Sequence, residues 1–139
     1  MIILDTDVLS AVMRLEREPE VFSWLNFQSR GDLHMNAISL FEAMSGIEKL
    51  DAGHKKQELA TALERAIATL GSRVIPFDDI AARAASDLYG TRKRGGVVVG
   101  ASDTQIAGIA ISRGARLATG NTRHFSDTNI GLINPWKVI

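Results

Sequence analysis

Apolar residues along the chain form short continuous runs that alternate with longer amphipathic segments. Residues 1–4 (Met-Ile-Ile-Leu) are an apolar run that ends at Asp5, which is typical of a buried strand. Helical spacing of apolar residues is clearest over 55–70, and Gly71 then provides a stop. The pattern predicts strands at 1–4, 33–36, 73–77, 115–118 and 130–133, and helices at 7–14, 19–28, 39–50, 55–70, 79–94 and 103–113. Asp78 is the expected cap of the helix at 79–94, with Ile80 and Tyr89 among its apolar positions, and Phe41 is expected in the core or at an interface. Residues 97–99 are either a loop or a brief strand.

Strands that alternate with helices in this way indicate the fold class. We expect an α/β sandwich around a mostly parallel sheet. The length of 139 residues, with 45% hydrophobic and 23% charged, predicts one globular domain. In such sheets, binding sites gather at the carboxyl ends of the strands.

Composition excludes several classes of protein. There is no cysteine, which rules out a disulfide scaffold, a cysteine-based zinc site and a cysteine nucleophile. No apolar stretch approaches the 18 residues of a membrane span, and no targeting segment is recognisable at the start. We therefore expect a soluble cytoplasmic protein.

Charge is balanced overall but uneven along the chain. Sixteen basic and sixteen acidic residues give a formal net charge of zero, which argues against nucleic-acid binding through global positive charge. Residues 1–70 hold seven basic and eleven acidic residues, a net of −4, and residues 71–139 hold nine and five, a net of +4. We expect the acids to gather in a pocket with a basic surround.

Acidic residues at three element boundaries are the candidates for chemistry. Asp5 follows the first strand, and an N-cap of the next helix is the alternative role, for which Asp7 fits better. Glu42 lies in an apolar helix and needs a partner or a cation, although Ser39-x-x-Glu42 also matches a capping box. Asp103 starts a helix among small residues, and taken alone a capping role is favoured.

Oxygen-bearing side chains follow the strand at 115–118. Thr119 and Asn121 lie at its carboxyl end, with a plain loop as the alternative interpretation. Several carboxylates brought together repel one another unless protons or cations neutralise them. Mg²⁺ and Mn²⁺ prefer oxygen ligands and assist phosphodiester hydrolysis, whereas the three histidines show no zinc-ligand spacing.

Two further features are weaker. The basic run Arg92-Lys93-Arg94 is either a phosphate-contacting or partner-contacting surface or a solvated helix end. The glycine-rich run 95–100 lacks the Gly-Lys-Ser/Thr ending of a phosphate loop, so nucleotide binding there is rejected.

Taken in order, these residues resemble the PIN-domain ribonucleases, in particular the VapC toxins of toxin–antitoxin pairs and their FitB and plasmid-stability branch. The resemblance covers essentially the whole chain as a single PIN domain over 1–139. Its marks are Leu4-Asp5-Thr6-Asp7-Val8-Leu9-Ser10, Ser39-Leu-Phe-Glu42 with Gly46, Ala101-Ser-Asp103, Ala118-Thr119-x-Asn121 with Phe125, and Asn134-Pro135-Trp136. Each mark is weak alone, but their order and spacing are specific.

This resemblance implies a PIN-like three-layer sandwich and a Mg²⁺- or Mn²⁺-dependent endoribonuclease toxin. It further implies a homodimer that cleaves tRNA or rRNA and is neutralised by a cognate VapB-like antitoxin, with DNA contacted only through that antitoxin. The implied catalytic residues are Asp5, Glu42, Asp103 and Asn121, of which Asp5, Glu42 and Asp103 bind the metal, with support from Thr6, Asp7, Ser39 and Thr119.

Three positions depart from the pattern that the chain resembles. The family usually has Asn where this chain has Asp7, often has Asp where this chain has Asn121, and in some members has an acid where this chain has His124. One alternative is therefore a PIN-like RNA-binding module with weakened catalysis. A second alternative is a haloacid dehalogenase-like phosphatase, suggested by Asp5-x-Asp7, although no suitable lysine is evident.

Overall fold

The computed structural model describes residues 1–71 and 73–137 and contains five short strands and six helices in those residues. The strands are β1 (Ile2–Leu4), β2 (Leu33–Asn36), β3 (Val74–Ile75), β4 (Arg116–Ala118) and β5 (Leu132–Ile133). The helices are α1 (Thr6–Val12), α2 (Pro19–Asn26), α3 (Ala37–Glu48), α4 (His54–Thr69), α5 (Asp79–Arg94) and α6 (Ala101–Arg113).

The strands form one sheet in the order β3-β2-β1-β4-β5, and every pairing is parallel. In β1, Ile3 is in register with His34 of β2 on one side and with Leu117 of β4 on the other. The carboxyl ends of the central strands therefore meet at one edge of the sheet. The strand order changes direction between β1 and β4, because β2 and β3 lie on one side of β1 whereas β4 and β5 lie on the other. Ligand sites form beside such a point at the carboxyl ends of the strands.

Successive side chains of β1 point to opposite faces of the sheet, and each face has its own core. Leu4 packs with Val8, Leu63 and other residues of the face covered by α1 to α4. Ile3 packs with Ile106 and other residues of the opposite face, covered by α5 and α6. The predicted sandwich is thus confirmed as three layers, with the sheet in the middle.

Helices α5 and α6 pack closely because small residues face each other. A Cβ placed on Gly108 of α6 would lie only 2.6 Å from the carbonyl oxygen of Ala81 and 2.6 Å from Cβ of Ala85. Glycine therefore permits the close approach of the two helices. No helix within residues 1–71 and 73–137 is long and apolar enough to cross a membrane.

Several expected cap residues are wrong. Asp5, not Asp7, caps α1, because the helix begins at Thr6 and Asp5 Oδ1 accepts the Thr6 N–H. Helix α3 begins at Ala37 with Asn36 as its cap, so Ser39-x-x-Glu42 is not a capping box. Helix α6 begins at Ala101 without a side-chain cap. Glu42 and Asp103 are therefore free of the capping roles that competed with a functional one.

Some apolar positions at helical spacing do not lie in the core. Phe41, expected in the core or at an interface, is 69% exposed. Ile80 and Tyr89 of α5 are exposed because Ala81 and Ala85 form the buried side of that helix. The run 97–99, for which a loop or a brief strand was open, is a loop. The Asp78 cap of α5 is confirmed by its bond from the Ala81 N–H (2.9 Å).

Candidate metal centre

Asp5 lies at the carboxyl end of β1 and is only 3% exposed. Its Oδ1 accepts the Thr6 backbone N–H (2.8 Å), and its Oδ2 accepts the Thr119 hydroxyl (2.7 Å). Burial, with smaller contributions from the charges of Asp7 and Asp103, raises its pKa to about 6 despite the lowering effect of these hydrogen bonds. Asp5 is therefore a buried carboxylate with no ion-pair partner among the described residues.

Glu42 is held toward α1 by the Thr6 hydroxyl, which donates to Glu42 Oε1 (2.6 Å). The Thr6 hydroxyl also lies 3.0 Å from Ser39 Oγ. The Asn36 amide donates to both Ser39 Oγ (3.0 Å) and the Leu4 carbonyl (2.9 Å). These bonds connect the end of β1 to the start of α3, so the supporting roles expected for Thr6 and Ser39 have a structural basis.

Asp103 lies in the first turn of α6, with its side chain 24% exposed. The Nδ1 of His124 lies 2.7 Å from Asp103 Oδ2. The charge of Asp103 raises the pKa of both Asp5 and Asp7, which shows that the three carboxylates share one electrostatic environment. His124 was identified only as a departure from the family pattern, and the structure makes it a direct neighbour of the site.

Asp7 lies against the loop that follows β4. Its Oδ2 accepts the Gly120 backbone N–H (2.8 Å) and lies 3.5 Å from Nδ2 of Asn121. Its Oδ1 is buried and has no hydrogen-bond partner among the described residues. Burial raises the pKa of Asp7, and the Gly120 N–H opposes the rise. Two of the departures from the family pattern thus lie side by side.

Arg92 does not lie on a surface open to RNA, which corrects the expectation for the first residue of the basic run. Its side chain is 3% exposed and pairs with both oxygens of Asp127 (2.9 and 3.0 Å). It also donates to Thr104 Oγ1 (2.8 Å) and to the His124 carbonyl (2.7 Å), and the pairing lowers the pKa of Asp127. Lys93 and Arg94 are exposed at the end of α5.

The carboxylates fit a hard cation by their chemistry rather than by a preformed cage. Within residues 1–71 and 73–137, no three Asp, Glu or His side chains are close enough to form a ready-made metal-binding group. The donor atoms are oxygens, the Asp7 Oδ1 atom lacks a partner, and the buried Asp5 has a raised pKa. A divalent cation with several waters suits such a set, since it neutralises the charge and bridges the gaps between ligands.

The sequence identified the acids but missed residues that orient them. Asn36 is fully buried and joins β1 to α3, and Asn at a strand end before a helix is a recognisable cap signal. Arg92 was visible only as part of a charged run, because the partner Asp127 lies 35 positions away. His124 had no ligand spacing that would mark it.

Comparison with known proteins gives a consistent result. A family model described as "PIN domain" matches residues 2–130. The chain is 34% identical over 138 residues to "VapC ribonuclease Y4jK" of Sinorhizobium fredii, with 99% of both chains covered. It is 32% identical over 137 residues to "Toxin FitB" of Neisseria gonorrhoeae, covering 98% of this chain and 99% of the relative.

Solved structures give the same result for the fold. The "Structure of FitAB bound to IR36 DNA fragment" matches with a TM-score of 0.88 and 31% identity, covering 100% of this chain and 98% of that one. The similarity therefore extends along the whole chain in both sequence and fold.

Proposed function

This chain belongs to the PIN-domain family, and on that premise we propose that it is the endoribonuclease toxin of a VapBC-type toxin–antitoxin pair. The ribonuclease and toxin roles agree with the names of relatives that match along almost their whole length. The haloacid dehalogenase-like phosphatase is not retained, because the matching family model is the PIN domain.

The observation that carries the proposal is the uncompensated charge around Asp5. Its buried carboxyl has a pKa of about 6 and is under the influence of Asp7 and Asp103. A site of this kind binds a cation before it can accept a phosphate. In the proposal, Asp5, Glu42 and Asp103 hold Mg²⁺ or Mn²⁺.

The remaining side chains orient these ligands or the substrate. Thr6 directs Glu42, Thr119 directs Asp5, and Asn121 faces the site from the loop after β4. A bound divalent cation supplies Lewis-acid chemistry, lowering the pKa of a water and neutralising charge on the phosphate. The exposed Lys93 and Arg94 are available for RNA phosphates or for the antitoxin.

The proposed partners follow from the same family membership. We propose a cytoplasmic homodimer that acts on tRNA or rRNA and is inhibited by a VapB-like antitoxin. One structural relative is described as FitAB bound to a DNA fragment, and another as a member of the VapBC family of toxin-antitoxin systems. Contact with DNA through the antitoxin is the corresponding proposal here. An antitoxin guanidinium can replace the cations of the acidic site.

The experiment is cleavage of total RNA by the purified protein with Mg²⁺ or Mn²⁺, and with EDTA as the control. Asp5→Ala and Asp103→Ala are expected to abolish cleavage and growth arrest, while Asn121→Ala causes a milder loss. Asp87→Asn, an exposed carboxylate of α5, is the matched control. Full activity of the Asp5 or Asp103 variant contradicts the site assignment.

The ends of the products test the chemistry separately. Attack of water on phosphorus leaves 5′-phosphate and 3′-hydroxyl ends. Products with 2′,3′-cyclic phosphates instead require attack by the ribose hydroxyl and would contradict the proposed hydrolysis.

A catalytically weakened RNA-binding module is the second candidate. The observation that favours it is the His124–Asp103 contact, which occupies one oxygen of a proposed metal ligand. RNA binding by the wild-type protein without any cleavage in Mn²⁺ would support this candidate over the nuclease.

A further inference from the structure

The Asp7 side chain joins α1 to the loop that follows β4. Its Oδ2 accepts the Gly120 N–H at 2.8 Å, and a Cβ on residue 120 would lie 2.8 Å from the same oxygen. Glycine at this position therefore lets the carboxylate approach the backbone directly. A charge-assisted hydrogen bond of this kind fixes the position of the loop relative to the helix.

The two residues that flank Gly120 act on the metal centre. Thr119 donates to Asp5 Oδ2 (2.7 Å), and the backbone N–H of Asn121 donates to Thr119 Oγ1 (2.9 Å). The Thr119 hydroxyl is thus directed at Asp5 because the Asn121 N–H occupies its acceptor side. The hydrogen bond between Asp7 and Gly120 therefore helps to position Thr119, and Thr119 in turn orients the Asp5 carboxylate.

The Asp7 carboxylate and the Asn121 side-chain amide lie next to each other at the loop that follows β4. Asn121 Nδ2 lies 3.5 Å from Asp7 Oδ2, while Asp7 Oδ1 is buried without a partner among the described residues. Asp and Asn side chains have the same shape and differ only in charge and in the donors of the amide. The pair therefore places one negative charge at the site, and either position is able to carry it.

We propose that Asp7 and Asn121 act as one positioning pair, which holds the loop against Asp5 and contributes a single shared carboxylate charge to the cation site. This inference rests on the metal-dependent function proposed above. It predicts that the pair can be inverted. In the double variant Asp7→Asn/Asn121→Asp, the amide carbonyl introduced at position 7 accepts the Gly120 N–H, and the carboxylate introduced at position 121 carries the negative charge.

The experiment is isothermal titration calorimetry, in which Mn²⁺ alone is titrated into protein that has been stripped of metal with EDTA. Asp7→Asn keeps the acceptor for Gly120 but removes the charge, and about tenfold weaker Mn²⁺ binding is expected. The inverted double variant is expected to bind within about threefold of wild type. Asp87→Asn removes an exposed carboxylate elsewhere and is expected to leave Mn²⁺ affinity unchanged.

Asn121→Ala provides an independent test, because residue 121 is exposed and its truncation leaves the core intact. It is expected to weaken Mn²⁺ binding a few-fold alone and to add nothing in the Asp7→Asn background, since the pair is already broken.

Four results would overturn the inference. Wild-type affinity in Asp7→Asn would show that the charge is unused. A double variant as weak as Asp7→Asn would show that the two positions are not interchangeable. Additive effects of the two single changes would show that they do not act as a pair. Absence of Mn²⁺ binding by the wild-type protein would overturn the metal dependence itself, and this inference with it.

Discussion

Replacing Asp5 by Asn is expected to stabilise the metal-free protein near neutral pH, although the same change abolishes cleavage. The Asp5 carboxyl is 3% exposed and has a pKa of about 6, against 3.8 in the ordinary environment. Because the folded-state pKa is raised, the stability associated with this group is fully present below pH 3.8. It is lost as the pH rises through about 6.

The magnitude follows from the two pKa values. The gap between 3.8 and about 6 corresponds to roughly 3 kcal/mol of lost stability once Asp5 is ionised in both states. At pH 4.5 only about 1 kcal/mol of this is lost. An amide at position 5 still accepts the Thr6 N–H but not the Thr119 hydroxyl, which adds a cost that is independent of pH.

The assay is urea unfolding of wild type and Asp5→Asn in EDTA at pH 4.5 and pH 7.5. The constant hydrogen-bond cost cancels when the stability difference at one pH is subtracted from that at the other. We expect the variant to gain about 2 kcal/mol relative to wild type between the two pH values. Asp87→Asn controls for general effects of surface charge.

A stability difference between variant and wild type that is the same at both pH values would refute the reasoning. A variant that is less stable relative to wild type at pH 7.5 than at pH 4.5 would refute it as well. Addition of Mn²⁺ provides a further check on the sign. The cation is expected to stabilise wild type in proportion to the logarithm of its concentration and to leave the variant almost unchanged.

Three substitutions test the supports of the site and the packing beneath it. Gly120→Ala would bring Cβ within 2.9 Å of the Trp136 ring, and we expect a loss of about 1–3 kcal/mol in thermal unfolding together with reduced cleavage; an unchanged Tm would contradict the close approach. Arg92→Met leaves Asp127 and two other acceptors without their donor, so we expect the free energy of unfolding to fall by roughly 2–4 kcal/mol. The control is Lys93→Met at the exposed neighbouring position, which should change the free energy of unfolding by less than about 0.5 kcal/mol. Gly108→Ala should lower the free energy of unfolding by at least about 2 kcal/mol, because the added Cβ forces α5 and α6 apart. A variant as stable as wild type in denaturant unfolding would show that the two helices can separate at little cost.

The sheet, the helices and the acids could be predicted from the sequence because local patterns determine them. The apolar run before Asp5 and the spacing of α4 are properties of neighbouring residues. The cap of α5 at Asp78 was predictable for the same reason. The order of the strands then brings Asp5, at the end of β1, and Asp103, in the first turn of α6, to one edge of the sheet.

Interactions across long sequence separations could not be predicted in the same way. The Arg92–Asp127 pair and the His124–Asp103 contact both depend on the tertiary fold, and a charged run at a helix end usually lies in solvent. The helix caps failed for another reason. Helices α1, α3 and α6 begin one or two residues before the predicted boundary, which is enough to transfer the capping role to a different side chain.

The hydrogen bond from Thr119 to Asp5 joins residues that are 114 positions apart, and it has a consequence for synthesis of the chain. Strand β1 is made well before its neighbour β4. Asp5 therefore remains without its orienting partner until β4 and the loop after it have been made. A growing polypeptide that ends before β4 lacks Thr119 and Asn121 altogether. We expect such products of interrupted translation to be harmless to the cell, because the site is completed only by residues that follow β4.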